Sequence, residues 1–118
     1  MGPDSVKRLE IWQEAVTVVK EVYHLTREWP KAEIYGLTAQ VRRAAVSVPA
    51  NLAEGVGRGT PAEAARFALI ALGSLYELDT LLCVAAELGY SSLPELQECI
   101  TLLSRRISSY VSYKEGRR

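Results

Sequence analysis

Residues Gln40 to Arg58 read QVRRAAVSVPANLAEGVGR, and the proline in the middle decides the fold. Leu37, Val41, Ala44/Ala45, Val48 and Leu52 recur at three- and four-residue spacing, one face of a helix. Gln40, Arg43, Ser47, Asn51 and Glu54 follow the same spacing and make a polar line beside it. Both patterns cross Pro49 without interruption, so the segment is expected to stay helical over about 37–54, with a kink. Pro49 has no N–H to donate, and its ring presses on the Ala45 carbonyl. Such a proline costs roughly 3 kcal/mol in a helix interior, so packing must hold the helix together. Gly55, Gly57 and Gly59 are expected to end it, because glycine accepts the left-handed conformations of a turn.

Working outward, the upstream chain reads as one helix over about 6–28, with Ser5 as its cap. Ile11, Ala15, Val18, Val22 and Leu25 form one apolar seam, and Trp12, Val16, Val19 and Tyr23 a second beside it. Trp29-Pro30 closes this helix, since a residue before proline avoids the α region. Downstream, Thr60-Pro61-Ala62-Glu63 predicts a capped start with a capping box for a helix over about 61–88. Its seam is Ala64, Ala68, Ala71, Leu75, Leu78, Leu82 and Ala85, while Leu69, Leu72, Tyr76, Leu81 and Val84 cover much of the remaining circumference. So apolar a helix predicts burial on more than one side, with an oligomer supplying the extra cover. Ser92 is expected to cap a last helix over about 93–114, with Leu96, Ile100, Leu103 and Ile107 as its seam. Short connections between long helices predict an all-α, antiparallel up-down-up-down four-helix bundle, a single domain over 1–118.

Composition narrows the function classes. The chain has 118 residues, 48% hydrophobic and 24% charged, which is globular rather than disordered. Lys+Arg and Asp+Glu are both 14, so no global charge argues for nucleic acid or membrane. Cys83 and Cys99 fall in apolar helical patterns and read as reduced core residues of a cytoplasmic protein. No apolar run is expected to span a membrane, and no signal-peptide core is visible.

The polar line admits two readings. In one, Gln40, Arg43, Ser47, Asn51 and Glu54 form a buried hydrogen-bond network with Arg66, Ser74 and Glu77 of the facing helix. Ser47 and Asn51 would satisfy carbonyls freed by Pro49, Arg43 would pair with Glu77 or Glu54, and Gly73 would let the helices approach closely. In the other, the line is a ligand or RNA-phosphate site. A separate basic set, Arg42, Arg58, Arg105, Arg106 and Lys114, is ordinary solvated charge on a monomer. Repeated around an assembly, it would become a belt suited to phosphate contacts. Glu21 and His24 have the spacing of a di-iron bundle site, but His24 is the only histidine. No nucleophile–base pair, phosphate-binding loop or dinucleotide fingerprint is present, so no catalytic, cofactor or metal site is expected.

Three segments carry a family resemblance: Leu9-Glu10-Ile11-Trp12-Gln13-Glu14-Ala15, then YGLTAQVRRAAVSVPANLAEGVGR over Tyr35 to Arg58, then RFALIALGSLYELDTLL over Arg66 to Leu82. Together they resemble the 23S ribosomal RNA intervening-sequence protein family, related to the accessory variability determinants of diversity-generating retroelements. The resemblance implies a four-helix-bundle protomer in a ring-like homopentamer. The retroelement relatives bind a reverse transcriptase and nucleic acid through a basic surface. The resulting expectation is a non-enzymatic oligomeric scaffold that contacts RNA, DNA or a nucleoprotein partner through surface arginines. The alternative is a homo-oligomeric protein-interaction hub without nucleic-acid contact. Clustering of Arg42, Arg105 and Arg106 on one face would favour the first; scattered charge and an exposed apolar groove would favour the second.

Overall fold

Val6 and Ile11 cannot both face the core from one straight helix, because five residues turn the chain roughly 140° past a full turn. The chain breaks between them. A computed structural model describes residues 2–117 and shows α1 (Pro3–Lys7) separated from α2 (Glu10–Thr26) by Leu9, whose ψ of 124° is extended. Val6 is thereby buried while Ile11, Ala15, Val18 and Val22 keep their own seam. The expectation of one helix over 6–28 capped by Ser5 is corrected. Ser5 lies inside α1, and its hydroxyl donates to the Gly2 carbonyl at 2.8 Å. Gln13 Nε2 donates to the Lys7 carbonyl at 2.8 Å, satisfying an acceptor at the break.

Beyond α2 the chain is tied down by two side chains. Trp29 is buried, and its Nε1 donates to the Ser91 carbonyl at 2.9 Å. A 3-10 turn (Lys31–Glu33) then supplies a carboxylate with two jobs. Glu33 Oε1 accepts the Leu37 N–H at 3.1 Å, completing the start of α3 (Leu37–Gly57). Glu33 Oε2 accepts the Tyr90 hydroxyl at 2.8 Å. One residue thus joins the entry to α3 with the segment that follows α4 (Pro61–Glu87).

α3 stays helical through Pro49, as read, and continues to Gly57 rather than ending near Glu54. Gly55 does not stop it. A Cβ there would lie 2.9 Å from the Phe67 Cβ and 3.2 Å from the Ala64 Cα, so Gly55 marks a close crossing of α3 and α4. The turn belongs to Gly59, with φ of +84°. Gly73, expected to be the close-approach residue, has nothing within 4 Å of a Cβ position. It points out of the protomer.

Thr60 Oγ1 accepts the Glu63 N–H at 3.2 Å, the expected cap of α4. The Glu63 carboxylate turns to Arg66 and Arg58 instead of completing the capping box. The predicted seam from Ala64 through Ala85 is buried throughout. Before α5 (Pro94–Lys114) the cap position falls on Leu93 and no side chain fills it, so the Ser92 cap is corrected. Leu96, Ile100, Leu103, Ile107 and Val111 of α5 are buried. Packing runs α2 to α3, α3 to α4, α4 to α5 and back from α5 to α2, around one core cluster. The result is all-α and bundle-like, 43 Å in its longest dimension. Among the described residues there is no strand.

Two tests follow from these contacts. Gly55→Ala should destabilise the protein by about 1–3 kcal/mol through overpacking, read by chemical denaturation. The Tyr90 hydrogen bond first, and the Leu37 N–H second, hold the Glu33 carboxyl below its ordinary 4.5. A carboxyl favoured as the anion in the fold adds stability above its unfolded pKa, and that stability is lost as pH falls through the folded value. The same bond raises the Tyr90 phenol above 10.0, so its contribution is lost as pH rises past that point. Tyr90→Phe should flatten both limbs of the stability–pH curve. An unchanged acid limb below pH 4.5 would show that the bond does not form in solution.

Candidate functional site

The polar line on α3 divides into three groups. The first is a half-buried knot. Ser47 Oγ and Ser74 Oγ are 2.8 Å apart across the α3–α4 interface, and Asn51 Nδ2 donates to Ser47 Oγ at 2.9 Å and to the Ser47 carbonyl at 2.8 Å. Asn51 does reach a carbonyl beside the proline, but the acceptor that Pro49 leaves without its N–H is that of Ala45. The second group is an exposed ion-pair chain at the α3–α4 turn. Arg58 meets Glu54 at 3.0 Å and Glu63 at 3.8 Å, and Arg66 meets Glu63 at 2.7 Å. Arg66 lies 4.4 Å over the Phe67 ring, and its hydrogen bond is the chief reason the Glu63 carboxyl is lowered from its ordinary value.

The third group is Gln40, Arg43 and Glu77, all exposed and without a side-chain partner among the described residues. The expected pairing of Arg43 with Glu77 or Glu54 is not formed. The line sits at the edge of the apolar face, so only its middle, at Ser47 and Asn51, tucks against α4. A single buried network over all these residues is therefore corrected to a three-residue knot.

The basic residues are spent separately. Arg42 Nε donates to Thr26 Oγ1 at 2.9 Å, and its guanidinium lies 4.4 Å over the Tyr23 ring. Arg106 is bonded to Glu14 across the α2–α5 seam. The Lys114 ammonium lies 5.6 Å and 5.8 Å from the Tyr110 and Tyr113 ring centres. Arg58 is held by its carboxylates. Arg105 alone of the five has no partner among the described residues. It opens onto a shallow concavity shared with Ser108, Ser109, Ser112, Tyr113 and Arg117. Arg42 lies in a groove of α2 and α3, and α3 does not pack on α5. The protomer by itself does not gather Arg42, Arg105 and Arg106 on one face.

Glu21 and His24 are exposed, and among the described residues no group of His, Cys, Asp and Glu could hold a metal ion. Cys83 and Cys99 are corrected from core to exposed positions. Cys83 Sγ accepts from Gln97 Nε2 at 3.4 Å.

An exposed apolar stripe runs along the outer face of α4. Leu69, Ile70, Tyr76, Val84 and Leu88 recur there at helical spacing with Gly73 among them, and Leu69 and Tyr76 are 50% and 60% exposed. By length and composition α4 could cross a membrane, against expectation, although its inner face is buried in the bundle. The sequence signal for this face is its apolar circumference, and the spacing of Leu69, Gly73 and Tyr76 sets Gly73 opposite the buried seam.

A family model described as 23S rRNA-intervening sequence protein matches residues 7–109. No curated protein matches the chain.

The Ser47 knot gives a direct test. Ser74→Ala should cost about 1 kcal/mol, Ser47→Ala somewhat more because it also loses the Asn51 bond, and the double variant little more than Ser47→Ala alone. Full additivity in a denaturation cycle would mean the hydroxyls do not interact.

Proposed function

The chain belongs to the 23S rRNA-intervening sequence protein family, and from that premise we propose that it is a non-enzymatic, self-associating scaffold. The protomer in this reading is an antiparallel up-down-up-down four-helix bundle, kinked at Pro49, that assembles into a ring-like homo-oligomer in the cytoplasm. Five copies is the number the resemblance implies. The observation that carries self-association is Gly73. A glycine in a helix interior costs about 0.5–1 kcal/mol relative to alanine. Among the described residues nothing lies near enough to require it. It stands amid exposed Leu69, Ile70 and Tyr76, where the missing side chain would let a helix of a second copy come close. The apolar face around it would then be covered by a like face or by a neighbouring bundle.

What such a scaffold engages is read first as protein. Four of the five basic residues singled out in the sequence, Arg42, Arg58, Arg106 and Lys114, are held by carboxylates, a hydroxyl or rings of the same protomer, and its exposed surface carries many apolar side chains. A second reading, contact with RNA or DNA, draws on Arg105 and the hydroxyl-lined concavity beside it. Assembly would repeat that concavity around an axis and could bring Arg42, Arg58, Arg106 and Lys114 into a common belt.

Sedimentation equilibrium tests the assembly. The wild-type protein should run as one species several times its 13.0 kDa chain mass. Tyr76→Asp should dissociate it. Gly73→Ala should weaken assembly while leaving each protomer as stable or more so. A wild-type monomer would reject self-association. Added structured RNA separates the two partner readings: binding that falls steeply with salt and is lost in Arg105→Ala supports the second, and indifference to RNA supports the first.

A further inference from the structure

Of the four long-helix pairs, α2 and α5 are the least extensively packed. A groove of about 440 Å³ runs along their seam. Buried Val18, Leu96 and Leu103 lie at its floor; Leu93, Cys99 and Leu102 also line it and keep part of their surface in solvent. Leu102 is 53% exposed and lies off the inward seam of α5, so the bundle core does not account for it.

The charge on the rim is one-sided. Glu14, Glu21 and Glu95 border the groove, and among the described residues Arg106 is the one cation lining it. Arg106 is already bonded to Glu14, at one point along the seam. Glu21 and Glu95 have no side-chain partner among the described residues. In a chain with equal numbers of acidic and basic residues this is a local surplus of negative charge over an apolar floor.

The geometry points to this seam as the docking groove for a basic amphipathic helix of a partner protein. From Leu93 to Arg106 the α5 wall is about 20 Å long at 1.5 Å per residue, enough for three to four turns of an added helix. Two helices side by side present the groove into which a third packs, with anchors at i, i+3 or i+4, and i+7. Anchors of that spacing would cover Leu93, Cys99 and Leu102. Lysines or arginines flanking them would reach Glu21 and Glu95, whereas an acidic helix would meet uncompensated carboxylates. The chain's own exposed apolar face is a poor occupant: α4 has no lysine or arginine between Phe67 and Leu88 and carries Glu77, Asp79 and Glu87. The inference deepens the scaffold reading by giving the partner a chemistry, and its binding site is separate from the α4 face around Gly73.

Two fluorescein-labelled model helices of equal length test it by anisotropy on the full chain, one patterned Leu/Lys and one Leu/Glu. The Leu/Lys helix should bind, and the Leu/Glu helix should bind at least about tenfold more weakly. Glu21→Gln with Glu95→Gln should weaken the Leu/Lys helix about tenfold, and Leu102→Asp should do so at least as strongly. Glu87→Gln, exposed on α4 and outside the groove lining, should change nothing. The altered side chains are exposed, so sedimentation and thermal midpoint should match wild type. No binding of the Leu/Lys helix, equal binding of both helices, or affinity unmoved by these groove variants overturns the proposal. So does a change of assembly mass in Leu102→Asp, which would mean a second copy covers the seam. Failure of self-association itself would appear in wild-type sedimentation and would leave the peptide result standing.

Discussion

Pro49 removes a backbone donor from the middle of α3, at a cost near 3 kcal/mol in a free helix. The helix survives because its apolar residues on both sides of the proline, Val41, Ala45, Val48 and Leu52, are all buried. α3 contacts more elements than any other helix: α1, α2, the 3-10 turn and α4. Its most extensive partner is α4, and that contact is close at Gly55, where no Cβ fits. The Ser47–Ser74 bond crosses the same interface. A residue that would break an isolated helix is thus tolerated by the pair of helices with the most packing to spend on it.

Electrostatics here are local. The chain is neutral overall, and its ion pairs are mostly exposed, where each contributes little to stability. Their consequence is on availability. Arg58, Arg66 and Arg106 face carboxylates, and Arg42 and Lys114 lie over aromatic rings, whereas Arg8, Lys20, Arg27, Lys31, Arg43 and Arg105 have no side-chain partner among the described residues. Of the unpaired charges, Arg105 stands among hydroxyls on α5, and Glu21 and Glu95 border the α2–α5 groove.

The four long helices were legible in the sequence because their apolar residues repeat at the helical period and because the Thr60 cap obeys local chemistry. The break at Leu9 was not, although Val6 and Ile11 are out of phase. Periodicity over a long helix overwhelmed one early residue. Cys83 and Cys99 show the complementary limit. Each sits in an apolar pattern, yet both are exposed, because a pattern gives the face of a helix and not whether a neighbour covers it. The polar line failed in the same way. Its spacing placed Gln40, Arg43, Ser47 and Asn51 on one stripe, and only tertiary packing decided that Ser47 and Asn51 would be covered while Gln40 and Arg43 would not.

Gly55 and Gly73 carry this distinction into function. Both are glycines inside helices, and both forgo the helix-stabilising side chain. At Gly55 the reason lies within the protomer, where Phe67 and Ala64 occupy the space a methyl would need. At Gly73 the protomer supplies no reason, and the residue stands in an apolar stripe facing outward. The surfaces around the bundle differ in kind: the α4 face is apolar and lacks cations, the α2–α5 seam is apolar with free carboxylates, and the outer side of α5 carries hydroxyls with Arg105. Surfaces so unlike one another do not compete for the same partner. A small helical protein of this composition thus turns chemically distinct sides outward from one bundle.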